Sequence, residues 1–178
     1  SDQTSALEAA INSITANGDM AYIPCGAVIR VDEGLVPANN ATLVGGPGAT
    51  LQSQATGVGT YMFSASGQDN VTIQGIKFLG IRSATDATST NTAIFNSGAE
   101  AADWTIVHCE FESFWARALR SNNVDMLRLY FEGNFIHNIA RLGLDLSHLR
   151  AGHVLNNHVD NCGNGSGTWA MYASKDCE

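Results

Sequence analysis

The chain has 178 residues and a mass of 18.8 kDa, the length of one domain with room for a real core. Nine Lys and Arg stand against 17 Asp and Glu, a formal charge of −8 that excludes the basic footprint nucleic-acid binding needs. With 44% hydrophobic and only 15% charged residues the composition is not that of a disordered chain, and no apolar run approaches the roughly 20 residues that span a bilayer.

Neither a signal-peptide pattern nor an initiator Met opens the chain, so Ser1 reads as a processing boundary. Ala6, Leu7, Ala10, Ile11 and Ile14 recur with helical spacing, which predicts a helix over 5–16 with Ser5 as its cap and Glu8 completing a capping box. Asn17-Gly18 ends it, and Ala21 to Gly26 reads as a strand entering a turn. Residues 1–31 are therefore a helix and a first strand, and residues 32–178 contain no second convincing helix. Gly45-Gly46-Pro47-Gly48 is a turn rather than a phosphate loop, because no helix follows it.

The rest of the chain repeats. Ile73, Ile106, Phe131 and Val154 open equivalent segments, spaced by 33, 25 and 23 residues. Five residues after each stand Phe78, Phe111, Ile136 and Val159, and eight residues after stand Ile81, Phe114, Ile139 and Cys162. Three residues after, the column runs Ile76, Cys109, Asn134, Asn157. A strand pattern with a period near 23–25 residues is a β-solenoid coil, with the apolar columns stacked inside. A further strand per coil carries Ile94, Leu119, Leu144 and Met171 inward and Phe95, Arg120, Asp145 and Tyr172 outward, which gives three strands per coil. Of the four cysteines, none forms a CxxC; Cys109 reads as a small core residue, and pairing of Cys162 with Cys177 stays open. The sequons at Asn40, Asn70 and Asn164 read as turn chemistry.

Asp2-x-Thr4-x-Ala6-Leu7-x-Ala9-Ala10-Ile11, then Ile23-Pro24-x-Gly26, then Thr42-Leu43-Val44-Gly45-Gly46-x-Gly48-Ala49-Thr50-Leu51, then coils of the type x-Thr-Ile-x-x-x-x-Phe, resemble the pectate-lyase-like superfamily and its pectate lyase 3-type members. The resemblance implies an all-β fold, a right-handed parallel β-helix with an N-terminal capping α-helix. It places Asn134 and Asn157 on an asparagine ladder between the second and third strands, and Arg120, Asp145 and Tyr172 on the first sheet. No cap is legible after the last coil, so the expectation is a truncated solenoid, or one whose open end another subunit covers.

Outward residues of successive coils stack about 4.8 Å apart, so distant positions become surface ladders. Arg120, Asp145 and Tyr172, with His148 three residues beyond Asp145, supply a cation for a uronate carboxylate, a base for the adjacent proton and an acid for the glycosidic oxygen. Leu142 to His148 faintly resembles the Tyr-Gly-Phe-Asp-Pro-His motif of mannuronan epimerases, which carries over to Asp145; Leu142 replaces the Tyr and His148 comes one residue late. A second ladder is Leu79, Glu112, His137 and Asp160, with the two carboxylates two coils apart, about 9–10 Å, a separation compatible with inverting glycoside hydrolysis and equally with a solvated third-sheet face. Trp115 and Trp169 flank the first sheet with faces suited to sugar rings, while the histidines match no metal-ligand spacing. Calcium at the acidic turns Asp86, Asp103 and Asp125 stays open.

The resemblance thus implies a polysaccharide-engaging protein of the extracellular space or a virion surface, with no nucleic-acid partner and no membrane insertion. A lyase or epimerase on acidic glycans leads. The alternatives are a trimeric tail spike or adhesin that binds glycan, and a structural solenoid that assembles end to end.

Overall fold

In the computed structural model the described residues are 3–13, 20–32, 34–121, 124–163 and the backbone of 171–173. Every strand pairing among them is parallel, and each strand pairs with its counterpart one coil away, never with its chain neighbour. The second sheet stacks β1 (Ala21–Ile23), β3 (Thr42–Gly45), β6 (Thr72–Gln74), β10 (Thr105–Val107), β14 (Tyr130–Glu132) and β18 (His153–Leu155). The third stacks β2 (Val28–Val31), β4 (Thr50–Ser53), β7 (Lys77–Leu79), β11 (Glu110–Glu112), β15 (Phe135–His137) and β19 (His158–Asp160). The first sheet holds β5 (Tyr61–Ser64), β8 (Thr92–Asn96), β12 (Arg117–Ser121), β16 (Leu144–Leu146) and β20 (Met171–Ala173). A fourth sheet of two-residue strands, β9 (Ala101–Ala102), β13 (Met126–Leu127) and β17 (Leu149–Arg150), lies between first and second along the chain, so three of the coils carry four strands rather than three.

The expected registers hold. Ile73 pairs with Ile106, Ile106 with Phe131 and Phe131 with Val154. Phe78, Phe111, Ile136 and Val159 form the matching column of the third sheet. Their side chains fill the interior, where the Phe78 and Phe111 rings stack at 4.8 Å and Phe131 continues the pile at 5.9 Å. Cys109 is buried in this core, and burial pushes its thiol up to about 12.

Tight corners let every coil close in so few residues. Asn70, Asp103, Arg128 and Ala151 form one column of left-handed residues before the second sheet, and Gly75, His108, Gly133 and Asn156 another after it. Asn and Gly tolerate that conformation; a Cβ on Gly133 would also meet the His108 ring at 3.2 Å. At the next position the asparagine ladder is present. Asn134 Oδ1 accepts from the Cys109 N–H at 2.8 Å, its amide donates to the Ile106 carbonyl, and Asn157 repeats the contact on Asn134 one coil later. Asn40 and Asn70 are turn residues too, both left-handed, with the Asn70 amide donating to Asn40 at 2.8 Å. Asn164 lies outside the described residues.

Helix α1 spans Thr4–Asn12 and buries Leu7 and Ile11. Its cap differs from the sequence expectation: Gln3 occupies the N-cap, with no side-chain cap bond. Ser5 lies within the helix, and Glu8 turns away to accept from the Val36 N–H. Gln3, Thr4 and Asn12 likewise accept from Arg30, Asp32 and Ala38. The helix spends its polar groups on backbone donors that have no preceding coil to pair with. Ile14 and the Asn17-Gly18 stop lie outside the described residues. Among those described, no helix is long and apolar enough to cross a membrane.

Candidate functional site on the first sheet

β12 and β16 place Arg120 opposite Asp145, β8 places Phe95 below Arg120, and β20 places the Tyr172 backbone opposite Asp145. The expected ladder is therefore in register. Asp145 is only 7% exposed, although it occupies an outward position. Two guanidiniums cover it: Arg117 Nε donates to Asp145 Oδ2 at 2.8 Å, and Arg120 Nε stands 3.8 Å from the same oxygen. Both address Oδ2.

Arg117 is the residue that sequence alternation misses. Strict alternation in β12 would send it to the face opposite Arg120, but Ala118 and Leu119 are both buried, so the strand's sidedness breaks between them. Burial pushes the Arg117 guanidinium below its ordinary range, the charge of Arg120 acts the same way, and Arg141 adds to it against the pull of Asp145. Arg141, in the exposed turn before β16, lies with its guanidinium 6.0 Å from the Trp115 ring. Two cations thus share one carboxylate, and a third, Arg141, acts on Arg117 beside it. Two donors, Arg120 Nε and Trp115 Nε1, are buried with no acceptor.

His148 does not join this group. It sits in the turn after β16, where its Nδ1 is 3.7 Å from Asp125, which Arg150 also holds at 2.8 Å. Trp169 and Cys177 lie outside the described residues, as does the Tyr172 side chain.

The second ladder is also in register, with Glu112 opposite His137 and His137 opposite Asp160 on the third sheet. Its neighbours two residues back change its character. Lys77 Nζ lies 2.8 Å from Glu110 and 2.5 Å from Glu112, and His137 Nε2 lies 2.9 Å from Glu110. Asn161 donates to Asn138 Oδ1 and Asn138 donates to His137 Nδ1, so the network assigns the ring proton to Nε2. Desolvation pushes the Glu110 carboxyl up, but hydrogen bonds from Lys77 and His137 outweigh it and hold the group below its ordinary value. Glu110, Glu112 and His137 are close enough to share a cation, and the Lys77 ammonium occupies that place between the carboxylates.

The acidic turns do not fit calcium. Asp103 is held in a two-bond fork by Arg128, and Asp125 by Arg150 and His148, so a guanidinium stands where further oxygen ligands would be needed. Asp86 opens a single 3-10 turn, Asp86–Thr88, which supplies no second carboxylate.

The fold is that of the pectate-lyase-like parallel β-helices. Neither a family model nor a curated protein sequence matches the chain. Among solved structures it is similar to the A-module of the Azotobacter vinelandii mannuronan C-5 epimerase AlgE4, with a TM-score of 0.68 and 19% identity over 88% of this chain. The match covers 46% of that module, so the chain spans less than half its length. The likeness is one of fold.

Proposed function

We propose that the chain engages an acidic polysaccharide on the outer face of its first sheet and acts there as a lyase or epimerase. The observation that carries this reading is the excess of positive charge at one place on an acidic protein. Arg117 and Arg120 share Asp145 Oδ2, only Arg117 within hydrogen-bond distance, and Arg141 adds its charge beside Arg117. A uronate carboxylate supplies the missing charge.

Neutralising that carboxylate makes the proton on the adjacent C5 acidic. Asp145 takes this proton, and the C5–H electron pair moves toward the carboxylate held by Arg120. An acid then donates a proton, the role the sequence reading gives to Tyr172. Delivered to the glycosidic oxygen as the C4–O bond breaks and the C5 electron pair forms the C4=C5 double bond, it completes a β-elimination; delivered to C5 from the opposite face of the ring, it completes an epimerisation. Trp115 lines the rim of this face. Glu112, His137 and Asp160 lie on a different sheet and take no part in this step.

The test is proton exchange at C5 in deuterated water, followed by NMR, with ultraviolet detection of unsaturated ends on pectate, alginate and capsular uronans. The expected result is deuterium at C5, lost in Asp145→Asn and sharply reduced in Arg120→Ala. No exchange and no unsaturated ends on any of these polymers would overturn the enzymatic reading. The nearly buried Asp145 favours a second reading, a glycan-binding face without turnover, which predicts retained uronan binding in that case.

A further inference from the structure

Arg117 and Arg120 compete for one oxygen, and only Arg117 reaches hydrogen-bond distance. The Arg120 guanidinium instead lies over the Phe95 ring, 5.0 Å from its centroid. Phe95 is directly below Arg120 in register, and its own ring is gripped edge-on by Tyr61 at 5.6 Å and 60°. The attraction of the guanidinium for the ring face draws Arg120 off Asp145, and Tyr61 keeps that ring from turning away. Arg141 over Trp115 repeats the arrangement at 6.0 Å.

We infer that Phe95 is a positioning residue for anion binding: it seats the partly exposed Arg120 guanidinium over its ring and out of hydrogen-bond distance of Asp145, which leaves the charge of that guanidinium to a ligand carboxylate. Without the ring, Arg120 collapses onto Asp145 and forms a second internal pair. The incoming carboxylate must then displace Asp145 from two guanidiniums instead of one. The inference rests on the reading that the first sheet binds an acidic glycan, and it assigns no contact between Phe95 and the ligand.

The experiment is calorimetric titration of the full chain with four-residue oligogalacturonate and oligomannuronate, comparing Arg120→Ala, Phe95→Leu, Phe95→Trp and the double variant Phe95→Leu/Arg120→Ala. Phe95→Leu is expected to weaken binding about five-fold, the scale of one partly buried cation–ring contact. Phe95→Trp, which restores the ring face, is expected to keep affinity within about two-fold. In the Arg120→Ala background Phe95→Leu should have no further effect, because nothing is left to seat. If Phe95→Leu fails to fold, Phe95→Trp and the thermal midpoint of each variant still decide the matter: a folded Phe95→Trp that binds as weakly as Arg120→Ala overturns the inference. Weakening by Arg120→Ala without weakening by Phe95→Leu overturns the seating role alone. Equal losses from Phe95→Leu with and without Arg120 overturn it as well. Undiminished binding in Arg120→Ala, or no binding by the unmodified chain, overturns the first-sheet reading itself.

Discussion

Lys77 stands between Glu110 and Glu112, each about a third or less exposed, and its ammonium is what allows two carboxylates to share one strand face. Glu110 titrates below its unfolded value of about 4.3, so it contributes stability above that value and loses it as the pH falls through the folded value. Lys77→Met removes the ammonium and leaves two like charges side by side on one strand, with His137 still beside Glu110. It is expected to cost about 1 kcal/mol near neutral pH and, with only His137 left to hold Glu110 ionised, to shrink the loss of stability between pH 4.5 and 3. Urea unfolding at the two pH values checks the difference. Asp145 is the stricter case, because two guanidiniums depend on it. Asp145→Ala leaves Arg117 and Arg120 packed against each other without a counter-charge and should cost about 3 kcal/mol in the same assay.

Among elements, the asparagine ladder holds the corner between second and third sheets by meeting backbone groups that no strand can reach. Asn134 is 1% exposed and satisfies the Cys109 N–H and the Ile106 carbonyl together. Asn134→Ala strands both, with an expected loss of about 2–4 kcal/mol in chemical denaturation. Most of this level was legible in the sequence. The columns through Ile73 and Phe78 announce themselves because strand alternation and burial agree there, and Asn134 and Asn157 stand out as polar residues in an otherwise apolar column. The fourth sheet was not legible, since Ala101-Ala102 and Met126-Leu127 are too short to show any period. Lys77 and Glu110 escaped notice because they sit two residues before the ladder that was read, on the same face. Arg117 escaped because its strand does not alternate, and Arg141 because it comes from a turn. The Ser5–Glu8 pattern misled for a different reason: a capping box and a strand-edge clamp use the same residue types, and only the neighbouring Val36 N–H decides between them.

For the whole molecule, the helix is what separates a closed end from an adhesive one. Gln3, Thr4, Glu8 and Asn12 occupy four backbone donors, and Leu7 and Ile11 cover the interior behind them. Deleting residues 1–13 uncovers the donors of Arg30, Asp32, Val36 and Ala38, beside an open apolar bore. Concentration-dependent association in sedimentation velocity is the expected outcome, against unchanged behaviour for the intact chain. Coil closure shows a second property at this scale. From Phe78 to Ile94 the chain uses 16 residues, where Phe111 to Leu119 and Ile136 to Leu144 each use eight, yet all three spans join the same two columns. The surplus leaves at one corner as residues 80–91 and returns to dock on the start of β12, where the Thr90 and Asn91 carbonyls receive the N–H groups of Trp115, Ala116 and Arg117. Heredity in this molecule is thus divided in two. Stacked positions answer to the coils above and below them, while residues 83–88 of this corner can lengthen or shorten so long as Thr90 and Asn91 keep their hold on the start of β12.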